Sequence, residues 1–220
     1  MSLDVYLEVG TRRTFASAVD WFGWARAARD EDAALAALLE YGGRYRSALG
    51  RAAADLVLPE SAGQLKVVER PEGNATTDFG APGAIPALDH QAPDDDELAR
   101  LTSLLRAAWA AFDKSALAAT GVDLTPSGPR GGGRSLAKIR AHVAEAEGSY
   151  LAALGGRNAL RSNWPAIQAA FITALGARAR GELPEVGPRG GKRWPARFAV
   201  RRSAWHALDH AWEIEDRAVS

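Results

Sequence analysis

The stretch Trp205-His206-Ala207-Leu208-Asp209-His210-Ala211-Trp212-Glu213 carries two of the four histidines in the chain. It lies in a strongly helical C-terminal segment, expected to run from Pro195 to Arg217. Residues four apart on a helix leave from one face, one turn above the other, so His206 and His210 present their imidazoles together. With this spacing a helix offers two nitrogen ligands to one metal ion. The same arithmetic groups them with Ala199, Ser203 and Glu213. Two ligands make a weak site, and a third has to come from elsewhere in the chain.

Working outward, helical character reaches back to about residue 95, where the acidic run Asp94-Asp95-Asp96 suits a helix N-terminus. A first long helix is expected from Asp95 to Ala119, with Leu98, Leu101, Leu105, Trp109 and Phe112 at core spacing. The others are expected over Ser135 to Leu154, Pro165 to Arg180 and Pro195 to Arg217, and both prolines suit a first helical turn. Four such helices, joined by linkers of about 10 to 16 residues, predict a four-helix bundle over residues 95–217.

The second of these helices holds His142, on a face shared with Ser135, Ile139, Ala146, Ser149 and Ala153. Most of these neighbours are small, as are those of His206 and His210, which leaves room for a ligand where a packed core would favour Leu or Ile. A lone histidine on a mixed face reads as a hydrogen-bonded core residue. Three brought together by two helices of one bundle read as a metal site, with His142, His206 and His210 as ligands. Three imidazoles suit Zn or Ni, and also Fe or Cu. Glu145 and Glu213, each about a helical turn from a histidine, are candidates for an orienting partner or a general base. Asp209 points about 100° away from His210 and suits a cap or surface partner, while His90 reads as a solvated loop side chain.

Residues 1–70 read as a small α+β unit. Val5, Leu7 and Val9 alternate with Tyr6 and Glu8 as in a half-buried strand, and Thr14 to Val19 can pair back on it. Asp20-Trp21-Phe22-Gly23-Trp24 is an aromatic turn, Asp30 an N-cap, Ala33 to Leu49 a helix, and Leu65 to Glu69 a further strand. Residues 71–94 are rich in Gly and Pro and read as a linker that packs through Phe79, Ile85 and Leu88. The fold class expected is thus an α+β N-terminal unit followed by an all-α four-helix bundle.

The totals narrow the function classes. Basic and acidic residues balance at 27 each, so no global field draws the chain to nucleic acid or an anionic membrane. The absence of cysteine excludes disulfides, thiolate ligands and a thiol nucleophile of the protein's own. No stretch approaches about 18 uninterrupted apolar residues, and no signal peptide is evident, so a cytoplasmic protein is expected. The richness in Ala, Gly and Arg suits a GC-rich bacterial genome.

One histidine in the second helix of a bundle and a His-x-x-x-His in the last resembles the DinB / YfiT-like superfamily. The matching text is Ile139-Arg140-Ala141-His142 with Glu145, and Arg201-Arg202-Ser203-Ala204-Trp205-His206-Ala207-Leu208-Asp209-His210. The resemblance covers about residues 95–217. It implies a four-helix bundle holding a divalent metal on a three-histidine facial triad, His142, His206 and His210, with positions open to water or substrate. It also implies second and third helices that run parallel, which the short connection between them allows: about ten residues span about 33 Å when extended. Characterised members use mycothiol or bacillithiol in transfer and isomerisation, so the resemblance implies a low-molecular-weight thiol cofactor and a small electrophilic substrate. The strand pair, aromatic-glycine turn and helix of residues 1–70 more faintly resemble HicB-like antitoxin domains. The alternative function is therefore a non-catalytic binding or dimerisation module, with a homodimer as the expected assembly.

Two near-copies of a basic glycine-rich stretch, Gly128-Pro129-Arg130-Gly131-Gly132-Gly133-Arg134 and Gly187-Pro188-Arg189-Gly190-Gly191-Lys192-Arg193, each precede a histidine-bearing helix. Backbone N–H groups at a helix start and the charges of Arg130, Arg134, Arg189 and Arg193 suit an anion. The two can grip one ligand only if the second and fourth helices run parallel.

Overall fold

A computed structural model describes residues 2–126, 133–157 and 163–218. Four strands come first in the architecture: β1 (Leu3–Val9), β2 (Thr14–Ala18), β3 (Ala25–Ala28) and β4 (Leu65–Glu69), in the sheet order β3-β2-β1-β4. The β1–β2 and β2–β3 pairs are antiparallel, and β4 joins β1 in parallel. Helices α1 (Glu31–Glu40) and α2 (Gly42–Leu49) follow β3, and the short α3 (Ala75–Phe79) follows β4. Four long helices complete the described chain: α4 (Asp95–Ala118), α5 (Leu136–Leu154), α6 (Trp164–Ala179) and α7 (Ala196–Arg217). The chain is α+β, a small sheet followed by helices.

Several local expectations change. The helix expected over 33–49 is two, α1 and α2, hinged at Tyr41. At the break the Leu38 carbonyl accepts from the Trp24 indole at 2.9 Å, and Trp24 stacks on Tyr45 at 5.4 Å. Gly42 makes this possible, because a Cβ there would meet the Trp24 ring at 2.8 Å. Strand β1 is covered on both faces rather than half-buried, with Val5, Tyr6, Leu7 and Glu8 all buried. Val5 and Leu7 join Ala34 and Leu38 of α1 in the main core, while Phe15 of β2 packs edge-on against Trp205 of α7 at 5.9 Å.

The Gly/Pro-rich stretch 71–94 adds to that second face. Thr77 and Asp89 within it are fully buried, although Phe79, expected to pack, is 86% exposed. Asp89 receives two hydrogen bonds from Arg201 of α7, each 2.9 Å, and the same guanidinium donates to the Ala18 and Val19 carbonyls. Gly23, in the aromatic turn at φ 90°, comes so close to α7 that a Cβ would meet that of Ala204 at 2.9 Å. One apolar cluster consequently runs from Leu7 through Leu101 and Leu105 of α4 to Ala204 and Trp212 of α7. Burying each large aliphatic or aromatic side chain contributes about 1.5–3 kcal/mol.

The direction of each long helix follows from contacts at its ends. Glu97 and Arg197 pair near the starts of α4 and α7, and Ser115 bonds Glu215 near their ends, so these two run parallel. Trp194, just before α7, donates to the carbonyl of Ala153 near the end of α5, while Arg217 at the end of α7 donates to that of Arg134 just before α5. Helices α5 and α7 are therefore antiparallel. Arg178 near the end of α6 caps the Leu154 carbonyl at the end of α5, so α5 and α6 run parallel.

Candidate metal centre

Helix α7 is buried along most of its length, and the histidines sit in its middle, His206 at 4% and His210 at 0% exposure. The register of α5 is set by an i, i+4 ridge of Ile139, Val143, Glu147 and Leu151, all buried. His142 stands at the edge of that ridge, half-buried, and turns toward α7. The ring centres lie 5.1 Å apart for His142–His206, 5.0 Å for His142–His210 and 4.6 Å for His206–His210. One nitrogen from each ring falls within 4.8 Å of the others. The three histidines singled out in the sequence thus come together.

The donor set fits a divalent ion. His142 Nε2 and His206 Nε2 are 3.3 Å apart. Two nitrogens each bonded to zinc at about 2.0–2.1 Å and subtending a tetrahedral angle lie about 3.3–3.4 Å apart. His210 gives the second indication. Its Nδ1 is 2.7 Å from Glu213 Oε2, whereas its Nε2 is buried with no hydrogen-bond partner among the described residues. A buried ring nitrogen without a partner forfeits a hydrogen bond's worth of free energy, and a metal bond restores it. The carboxylate on the opposite nitrogen fixes ring and tautomer, the usual arrangement behind a metal-ligating histidine.

Glu213 is itself held. Its Oε1 accepts from Arg217 at 2.8 Å, and Arg217 is anchored by the Thr125 and Arg134 carbonyls at 2.8 Å each. Burial pushes the Glu213 carboxyl up, but the hydrogen bonds and charges of His210 and Arg217 outweigh it and hold the group below the usual carboxylate range. Glu213 therefore stands where a partner for His210 was expected.

Glu145 is exposed on α5. The helix instead turns Glu147 inward, fully buried, where Oε1 accepts from Ser203 at 2.7 Å and Ser203 accepts from the Trp109 indole at 3.1 Å. Burial pushes the Glu147 carboxyl up to about 7 against the lowering effect of these two partners. The sequence signal for it was a carboxylate in the middle of an otherwise apolar i, i+4 series.

The basic glycine-rich stretches do not cooperate. Because α5 and α7 are antiparallel, Arg134 and Arg193 lie at opposite ends of the pair, and one ligand cannot be gripped by both. Arg193 donates to the Ala152 carbonyl and so caps α5, Arg189 is exposed, and Arg130 falls outside the described residues. Asp209 pairs with Arg26 of β3 at 3.4 Å, as suits a surface partner, and His90 is exposed.

The fold and the site define the class: an α+β chain whose three buried or half-buried histidines are able to hold a divalent ion. No protein-family model, curated protein or solved structure matches the chain. Among the described residues no helix is long and apolar enough to cross a membrane.

Proposed function

We propose that this is a divalent-metal protein of the DinB-like kind, a thiol-dependent transferase or isomerase for a small electrophile. The observation that carries the reading is the convergence of His142, His206 and His210, with His210 oriented by Glu213 and its Nε2 left for a ligand. Helices α4 to α7 are then the four-helix bundle, and its parallel second and third members agree with the topology that the resemblance implies. Three neutral imidazoles suit Zn or Ni, and also Fe or Cu, and coordination geometry is what discriminates among them. When bound to three protein ligands, such an ion lowers the pKa of water or a thiol and supplies a nucleophile at neutral pH.

The protein's own residues do the rest. His142, His206 and His210 bind the ion, and Glu213 holds the proton of His210 at Nδ1, which keeps Nε2 available. Arg217 keeps Glu213 ionised and in place. Trp205 and Tyr150 flank His206, with ring centres 6.2 and 5.6 Å away. The thiol comes from a cofactor, as a cysteine-free chain requires.

The test is a thiol-consumption assay with mycothiol or bacillithiol against a panel of small electrophiles. Turnover should appear with zinc- or nickel-loaded protein, vanish on chelation and be absent in His206→Ala. Thiol consumption that is indifferent to chelator would defeat the reading. Bound metal without turnover would favour the binding-module alternative.

A further inference from the structure

The C-terminal ends of the parallel helices α4 and α7 lie together, and α2 packs against both. Where the three meet they leave an open cavity of about 330 Å³. Ala48 of α2, Ala111 and Ala118 of α4 and Ala119 just beyond it line the space, with Trp212 and Ile214 of α7 behind. Four alanines leave the room that longer side chains would fill. The back wall is held in place. Tyr41 leans on Trp212 at 5.2 Å, and the guanidinium carbons of Arg26 and Arg44 each lie 5.6 Å from the centre of the indole. Arg44 also donates to Glu215 at 2.7 Å and pairs with Asp216 at 2.8 Å, which ties α2 to α7. The cavity is therefore built before any ligand arrives.

Charge on its rim is unevenly answered. Arg44 faces two carboxylates, and the second oxygen of Glu215 accepts from the Ser115 hydroxyl at 2.7 Å. Lys114 lies on the lip beside Ser115, exposed, and forms no ion pair among the described residues. A helical turn away on α4 stand Ala110, Ala111, Leu117 and Ala118, so its own helix offers it no carboxylate. One cation is thus left over at the mouth of an otherwise apolar space.

We propose that this cavity binds a small amphipathic monocarboxylate, its apolar body between the alanines and Trp212 and its carboxylate at Lys114. A water molecule's share of the liquid is about 30 Å³ and a methylene is of similar size, so the space suits about ten non-hydrogen atoms. Trp212 leaves α7 about 200° round from His210, which puts the cavity and the histidines on opposite sides of the helix. No histidine takes part, so this site and the metal reading stand or fall separately.

The experiment is calorimetric titration of the full chain with octanoate, an acid of that size, against octanamide, which keeps the chain and loses the charge. Octanoate should bind at one site with a submillimolar Kd. It should bind about three- to fivefold tighter than octanamide, the size of an exposed charge pair. Lys114→Gln should bring the two ligands level and leave octanamide unchanged. Ala111→Leu and Ala118→Leu fill the cavity from α4 and should each weaken both ligands about tenfold or more. Ala118 is exposed, so its substitution leaves the core intact, and circular dichroism checks that both variants fold. The site is overturned by the absence of saturable octanoate binding, by affinity that both leucine variants leave untouched, or by a preference that survives Lys114→Gln. A dimer of the ligand-free protein that Ala118→Leu dissociates would give the cavity to a second copy of the chain, and overturns it as well.

Discussion

Helix α7 carries two buried polar groups nine residues apart that are treated in opposite ways. Arg201, at 3% exposure, spends its donors on both oxygens of Asp89 and on two backbone carbonyls. Burial works against its charge, yet Asp89, together with Tyr6 and Asp20, raises its pKa on balance. His210, at 0% exposure, has a charged partner on one nitrogen and none on the other among the described residues. A completed network is a clamp, here holding the stretch around Asp89 and the ends of β2 to α7. A network left one bond short is a site, because the remaining bond is what a ligand supplies.

Breaking the clamp should have the largest effect. Arg201→Met leaves Asp89 buried and unpaired, and removing one partner of such a pair costs about 3–5 kcal/mol. Urea unfolding should show this loss, while zinc binding per folded molecule stays near the wild-type level. Equal loss of both would mean that clamp and site are one unit.

Glu147 lies between the two extremes, with Oε1 on Ser203 and Oε2 without a partner among the described residues. Its folded-state pKa of about 7 lies above the ordinary 4.5, so the folded protein keeps a proton that the unfolded chain releases. Stability from this group is complete below pH 4.5 and is lost as pH rises through about 7. Glu147→Gln removes the loss, and its stability relative to wild type should improve by about 3 kcal/mol between acid and pH 8. A difference flat with pH would show that the carboxyl is not held neutral.

Glu213→Gln tests the orienting partner of His210. It should weaken zinc affinity about 10–100-fold with little change in the helical circular dichroism. Unchanged affinity would reduce the His210–Glu213 contact to packing. The smallest effect belongs to Arg189→Ala on the exposed loop, which should stay within about 0.5 kcal/mol of wild type and leave zinc binding unaltered.

The same contrast explains what the sequence made legible. The histidines were readable because both requirements are local: a four-residue spacing within α7 and one more histidine on another long helix. The long helices were readable from periodicity and first-turn prolines. Strand β3 was not, because Ala25-Arg26-Ala27-Ala28 has the composition of a helix and becomes a strand only by pairing with β2. The Arg201–Asp89 clamp joins residues 112 apart, which no local pattern announces. Glu145 stands out in the sequence for lying about a helical turn from His142, whereas the apolar ridge of α5 turns Glu147 inward.

The most direct test of the central claim is the metal content of purified protein dialysed against zinc, for the wild type and for His142→Ala and His210→Ala. One equivalent in the wild type, lost in both variants while their circular dichroism still shows folded helices, is the predicted result. Zinc retained in both variants, or none bound by the wild type, contradicts it.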